Sequence, residues 1–394
     1  MVWPEAIAKA EVTAATPYND ASPFMTINFD NFRGDRPLQR STSRPDAAEF
    51  APLHAGKSIL VTGAGGSIGS ALAQALFDLG PHSLVLLDSS EQNLFHIYSQ
   101  LSELPGAEKL VPVLGSVAAE SCVCNVFERH QPEIVYHAAA LKHVPLMEMN
   151  PFAVIQNNVL GTITLATIAK RFAAGRLAMI STDKAVNPRS IVGASKRLAE
   201  LALLAFGGQA TCMTSIRLGN VLGSEGSVVP LFIEQIKRGG PVTVTDPNVE
   251  RYFMTMDETV RCTLRAATSD PAGSGICVPP MGEPIKISDL AQYMIERAAA
   301  AGVSIQYTGL RPGDKLHEEF VSDREVMSPD PVDGLHRVES PHFSEPELTN
   351  GIAELNAAVE QRSLASLLAT LTRLLPEYQP SAYLLEQVAM AAAT

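Results

Sequence analysis

The stretch from Lys57 to Gly80, KSILVTGAGGSIGSALAQALFDLG, constrains the fold of this chain more than any other. A short apolar run ends in a glycine turn, and an apolar-periodic helix follows at once. Gly63, Gly66 and Gly69 give the turn the pattern G-x-x-G-x-x-G. Glycine allows the tight bend and lets the backbone approach a pyrophosphate, whose charge then rests on exposed N–H groups at the helix N-terminus. Ser67 and Ile68, between the last two glycines, belong to the same expected cradle. Asp88 ends the next apolar run, SLVLLD, where a carboxylate can hold the ribose hydroxyls of NAD and repel the additional phosphate of NADP. NAD is therefore the expected cofactor, with NADP the alternative because Ser89 and Ser90 stand nearby to accept a phosphate.

Three further apolar runs, KLVPVLGSV, EIVYHAAA and RLAMIST, follow with helical stretches between several of them. Strands alternating with helices predict an α/β fold, a Rossmann-type doubly wound parallel sheet. After about Asn220 the pattern loosens into short strands and separate helices, in GGPVTVTDPN, GEPIKISDLAQYMIERAAAAG and SIQYTGLRPGDKLHEEF. A smaller C-terminal substrate lobe on the sheet's carboxyl edge is expected there. The expected divisions are an N-terminal arm over 1–55, a dinucleotide-binding domain over 56–220, a nucleotide-sugar lobe over 221–345 partly interleaved with it, and a helical extension over 346–394. In that extension, SLASLLATLTRLLPEY and SAYLLEQVAMAAAT carry apolar residues at helical spacing, which suits a packing or oligomer face better than a membrane anchor.

Composition narrows the partners. The 394 residues, 46% hydrophobic and 18% charged, suffice for two domains and a large core. A formal charge of -12 disfavours nucleic acid or an anionic membrane, because both reward clustered Lys and Arg. Of the five Cys, only Cys122 and Cys124 lie close together, with no His or Cys cluster beside them, so no metal site is expected. Such cysteine usage suits a reducing cytosol. No segment reads as a signal peptide or as the roughly 18 apolar residues that span a bilayer, and the expectation is a cytoplasmic chain with no membrane partner.

A second segment raises the chemical question. In STDKAVNPRSIVGASK, Ser181 to Lys196, the position four before the lysine is Val192. Short-chain dehydrogenases carry Tyr there, as Y-x-x-x-K, and use it to accept the proton when a substrate hydroxyl is oxidised. Valine cannot take a proton, and none of the eight tyrosines lies in this segment. An isolated Asp-Lys dipeptide such as Asp183-Lys184 reads as a surface ion pair, so its motif must argue for more.

The motifs VTGAGGSIGS, HAAALKHVPLME, NNVLGT, STDKAVNP, GASKR, GNVLGSEGSVVPLF, RYFMT and TGLRPGDKLHEE occur in this order from about Gly56 to Phe320. Together they resemble the UDP-N-acetylglucosamine 4,6-dehydratases of bacterial polysaccharide and flagellin-glycan biosynthesis, which are extended short-chain dehydrogenases. One branch of that family is long and membrane-bound and has Met where shorter members have Tyr. This chain looks like the soluble catalytic half of that branch, with Val192 in the Met position.

The resemblance implies a redox-neutral reaction on a UDP-sugar: hydride leaves C4, the C5 proton is removed, water departs from C6, and hydride returns to C6. It implies Lys184 as the C5 base, Asp183 as the acid for the departing hydroxyl, and Thr182 in the same strand-end motif. Lys184 must then be neutral for part of the cycle and Asp183 protonated, so the two are expected to share one proton. Lys196 is implied at the nicotinamide ribose, Ala138 and Ala139 at the cofactor, and Lys142 and Asn158 along the cleft. Asn220 and the backbone around Val228 and Pro230 match the family's diphosphate and uridine contacts, with Arg251 and Arg311 as diphosphate cations. His143 and His317 read as structural. A homo-oligomer is implied as well.

Three departures from the family stand out: Val192, Ser116 in VLGSV where relatives carry Asp near the adenine, and Pro279-Pro280 where relatives have Leu-Asp. They keep other readings open: a UDP-sugar 4-epimerase, a C5-inverting or 5,6-eliminating dehydratase, or a catalytically silent binder of NAD and a nucleotide sugar.

Overall fold

The computed structural model describes residues 45–268, 274–300, 302–329, 334–341 and 343–392. Most of the expected N-terminal arm lies outside them. Its last part does not: Ala47–His54 forms helix α1, and Phe50 on it is fully buried in the main core. His54 anchors the helix by a 2.6 Å hydrogen bond between its Nε2 and the Tyr136 hydroxyl. The folded domain thus starts before Gly56, because an apolar side chain inside a polar stretch found a core to enter.

Strands β1 (Ser58–Thr62), β2 (Ser83–Asp88), β3 (Leu110–Leu114), β4 (Ile134–His137), β5 (Arg176–Thr182) and β6 (Cys212–Leu218) lie parallel in the order β3-β2-β1-β4-β5-β6. The order reverses between β1 and β4, and such a switch point opens a crevice at the strands' carboxyl ends where ligands bind. Successive side chains of a strand point to opposite faces, and both faces are covered. Ile59, Val61, Leu84 and Leu86 enter one core with α2 (Ser67–Asp78) and α3 (Glu91–Ser102). Leu60, Val85 and Leu87 enter the other, with α4 (Glu120–His130) and the helices α5 (Val144–Glu148) to α8 (Ile191–Phe206) nearby.

Helices α6 (Pro151–Val154) and α7 (Gly161–Arg171) join through a π-helical turn, Ile155–Leu160. Among the described residues this Pro151–Arg171 run is the one helix long and apolar enough, by length and composition, to cross a membrane. The sequence reading found no such span. In the fold its Val154, Ile155, Val159, Leu165 and Ile168 are buried against the rest of the chain.

Three more strands extend the large sheet, so that among the described residues it has nine. Gly275–Val278 adds parallel to β6, and His336–Glu339 and Val326–Pro329 continue antiparallel. The chain beyond Asn220 therefore supplies both an outlying lobe and part of the dinucleotide sheet. The lobe has its own core, with Phe232, Val242, Val249, Phe253, Leu290 and Met294 buried. The C-terminal helices Glu345–Glu360, Leu364–Leu374 and Ala382–Ala392 pack Leu355, Leu367, Leu371 and Leu384 into one apolar cluster with Val159, Val192 and Leu198. Their apolar side is a packing face within this chain.

Candidate active site

The glycine turn between β1 and α2 is shaped by contacts that no side chain could share. Gly63 has φ +65°, and a Cβ there would stand 2.7 Å from Ala139 Cα and 2.8 Å from Ala138 C. A Cβ on Gly69 would lie 1.9 Å from the Gly63 oxygen. Ala138 and Ala139 thus wall the turn. Gly66 caps α2 without a side chain, and a Cβ there would meet only the Gly63 oxygen, at 3.4 Å. Ser67 begins the helix, and Ile68 packs against the core. Asp88, buried at the end of β2, accepts from Gly65 N at 2.9 Å and Ser90 N at 2.8 Å. Ser90 caps α3 by accepting from Asn93 N. The open cradle and the carboxylate fit a dinucleotide: the turn would hold its pyrophosphate and Asp88 its adenosine ribose.

At the end of β5 the chain turns tightly through Asp183–Ala185, with Thr182 as its cap. This folds Lys184 back so that its Nζ donates to Asp183 Oδ1 at 2.9 Å and to Asn220 Oδ1 at 3.3 Å. Thr182 Oγ1 donates to the same Asp183 oxygen at 2.8 Å. The other, Oδ2, is buried without a hydrogen-bond partner. Asp183-Lys184 is therefore no surface ion pair; its aspartate side chain is fully buried.

The electrostatics set the state from which Lys184 would have to lose its proton during the cycle. Burial lowers the pKa of Lys184, but Asp183 and Glu318 outweigh burial and hold it above the ordinary lysine value. Lys184 therefore rests as an ammonium. Burial dominates at Lys196, pushing its pKa down to about 8, while its Nζ donates to Ile180 O at 2.7 Å. His137, held between the hydroxyls of Thr62 and Thr162, is pushed down to about 3 by burial and is neutral.

With this geometry in place, known proteins give a consistent comparison. The family model described as polysaccharide biosynthesis protein matches residues 59–340. The chain belongs to that family. It is 42% identical over 316 residues to the capsular polysaccharide biosynthesis protein CapD of Staphylococcus aureus, covering 79% of this chain and 53% of that protein. It is 39% identical over 310 residues to the probable polysaccharide biosynthesis protein EpsC of Bacillus subtilis, covering 78% and 51%. The chain spans about half the length of these curated relatives. Among solved structures, Pen from Bacillus thuringiensis superposes with a TM-score of 0.67 at 28% identity, covering 76% of this chain and 98% of that one. UDP-glucose 4-epimerases of Rickettsia are also relatives, at about 30% identity, and a dTDP-glucose 4,6-dehydratase shares the fold at 22%. The fold is the one that solved epimerase and dehydratase structures share.

Several expected site residues occupy other roles in this family member. Asn158 is fully enclosed in the π-helical turn instead of lining the cleft: it accepts from Leu141 N, donates to Leu141 O and donates to Ser195 Oγ. It thereby fixes the backbone that presents Lys142, whose Nζ donates to Glu225 O at 2.9 Å. Glu225 N in turn reaches Ser67 Oγ at 3.1 Å, so the loop before Val228 bridges the cofactor turn. Val228 and Pro230 lie in the first turn of the helix that follows this loop. Arg251, expected on a diphosphate, spends its donors on the carbonyls of Glu250, Lys315 and Leu316. A mostly buried guanidinium of this kind satisfies backbone acceptors of a loop. Arg311 is more than half exposed and pairs with Asp314. His143 packs against Gly226, and His317 pairs with Glu250.

Val192 is buried, facing the apolar cluster shared with the C-terminal helices. The sequence gives no sign of Glu318 beside the Asp183-Lys184 pair, or of a buried ion network behind it. Arg217 and Arg197 are paired with Glu200 and Glu325, and Ser181 donates to Glu200 at 2.6 Å. Arg217 and Ser181 lie on strands, Arg197 and Glu200 on α8 and Glu318 and Glu325 in loops, and only the fold brings them together.

Proposed function

We propose that the protein is an NAD-dependent 4,6-dehydratase of UDP-N-acetylglucosamine or a close UDP-sugar, a hydro-lyase producing a 4-keto-6-deoxy sugar. The observation that carries this reading is the enclosed Asp183-Lys184 pair at the carboxyl end of β5, with Asp183 Oδ2 buried and unpartnered. Bound NAD would accept hydride from C4 and return it to C6. NAD is preferred to NADP because Asp88 stands at the end of β2 and Ser90 is engaged as a helix cap.

The protein's own groups supply the proton traffic. Moving one proton along the 2.9 Å bond from Lys184 Nζ to Asp183 converts ammonium and carboxylate into amine and acid. The amine removes the C5 proton, and the acid protonates the departing C6 hydroxyl. Thr182, donating to Asp183, orients the carboxyl. Val192 takes no proton, so the C4 hydroxyl proton goes through Thr182, Asp183 or water. Lys196 contributes positive charge at the nicotinamide ribose below about pH 8. Lys142, Asn220, Arg311 and the backbone at Val228 and Pro230 bind the nucleotide sugar. A 4-epimerase is the second reading, favoured by the epimerase relatives; it has no need of an enclosed acid–base pair beyond C4 chemistry.

The test is incubation of the NAD-loaded protein with UDP-N-acetylglucosamine in deuterated water, followed by mass spectrometry and NMR. Loss of water with deuterium at C5 is expected. Inversion at C4 without water loss would establish the epimerase, and unchanged sugar from folded, NAD-loaded protein would remove this substrate assignment.

A further inference from the structure

Glu318 lies in the loop TGLRPGDKLHEE, and its side chain is only 3% exposed. Its Oε1 is 3.5 Å from Lys184 Nζ and 3.8 Å from Arg251 Nε, and its Oε2 is 3.3 Å from Lys315 Nζ. The loop is already seated without this carboxylate. Lys315 Nζ donates to Val186 O at 2.7 Å, Asn187 Nδ2 donates to Glu319 at 2.9 Å, and Glu250 N donates to Leu316 O at 3.1 Å. Gly313 sits where a Cβ would be 2.8 Å from Ser190 Cβ. A carboxylate is costly to bury unless it meets cations and donors, so what Glu318 faces accounts for its position.

We propose that Glu318 is a positioning residue for Lys184, the carboxylate that the C-terminal lobe inserts beside the Asp183-Lys184 pair to hold the ammonium in place. An ammonium has three N–H donors and no acceptor. Around Lys184 Nζ stand three oxygens, Asp183 Oδ1 at 2.9 Å, Asn220 Oδ1 at 3.3 Å and Glu318 Oε1 at 3.5 Å. They come from the β5 turn, the segment after β6 and the lobe loop, so the amine is fixed only when these three segments are assembled. Lys184, Arg251 and Lys315 are the cations of the cluster and Asp183 and Glu318 its carboxylates, with the Tyr252 phenol also within the electrostatic reach of Asp183. Removing Glu318 leaves three cations facing one carboxylate, and the cheapest relief is loss of the Lys184 proton. This inference rests on Asp183-Lys184 being the acid–base pair.

The test is the pH dependence of Lys184 acetylation by a trace of acetic anhydride, read on the Lys184 peptide by mass spectrometry with the full chain and no sugar present. In the wild type the midpoint is expected above the ordinary lysine value of 10.5. Glu318→Gln is expected to lower it by about one pH unit or more, because an opposite charge at this range stabilises the ammonium by that order. Glu318→Asp keeps the charge one methylene further away and carries the test if the amide variant does not fold; it is expected to shift the midpoint in the same direction by less. An unchanged midpoint in either folded variant overturns the proposal. The labelling needs no turnover, so its outcome stays separate from whether dehydration is observed. Where dehydration is observed, Glu318→Gln is expected to change kcat and its pH profile with KM nearly preserved.

Discussion

Val192 shows how one residue's chemistry depends on its surroundings. Valine removes a proton acceptor from the segment, and the proposed acid–base pair is instead Asp183 and Lys184, whose enclosure the structure provides. Restoring a tyrosine is expected to harm the protein. Val192 is 3% exposed inside a packed apolar cluster, and forcing a larger ring there costs about 1–3 kcal/mol by overpacking. Val192→Tyr should lower the melting temperature without raising the rate of sugar oxidation, measured by thermal unfolding and by nicotinamide absorbance; a faster enzyme of equal stability would contradict this. The Asp183-Lys184 motif was legible in the sequence, because its residues are contiguous. Its protonation was not, because Glu318 lies far along the chain and reaches Lys184 only through the lobe loop.

The element-scale feature with the largest consequence is the ion network joining β5, β6, α8 and the segment Phe320–Glu325. Arg217 is fully buried and donates to Glu200, to Glu325 and to Phe320 O. Burial alone would raise the pKa of Glu325, but the guanidiniums of Arg217 and Arg197 more than offset it and hold the value down to about 2, against 4.5 for an ordinary glutamate. A carboxylate with a depressed folded pKa stabilises the fold above its unfolded pKa and loses that contribution as pH falls through the folded one. The contribution is on the order of 3 kcal/mol, present above about pH 4.5 and lost toward pH 2. Glu325→Gln should therefore unfold more readily at neutral pH, by about 3–5 kcal/mol because Arg217 keeps a buried unpaired charge. It should also flatten the acid dependence of stability between those pH values, as read by denaturant titrations across the range; an acid limb identical to wild type would show that Glu325 does not titrate there. Strands and helices themselves were readable from their periodicity, and SLVLLD and RLAMIST form strands over the whole of those stretches. Which charged residues of those elements meet was not.

At the scale of the whole molecule, the C-terminal helices act as a brace for helix α8. Glu377 pairs with Arg197, Gln379 N donates to Pro188 O, and Ser381 donates to Glu148, which accepts from Ile191 N at the start of α8. Leu371, fully buried in the shared cluster, ties the brace to the domain. Leu371→Ala should cost about 2–5 kcal/mol, the range for deleting a buried leucine. Urea unfolding checks it, and a loss below about 1 kcal/mol would show that the helices are a weakly attached appendage. What the sequence by itself determined was local: the glycine turn, the alternation that makes a parallel sheet, the acidic end of β2, and the motifs that mark the family. These follow from short-range geometry, because a glycine's freedom and a side chain's period are properties of neighbouring residues. Only the tertiary structure decided that Arg251 supports a loop, that Asn158 pins a backbone, that Ala47–His54 belongs to the core, and that Glu318 faces Lys184. Burial and long-range charge contacts arise from segments distant in sequence, and neither their geometry nor their desolvation is written in any one of them.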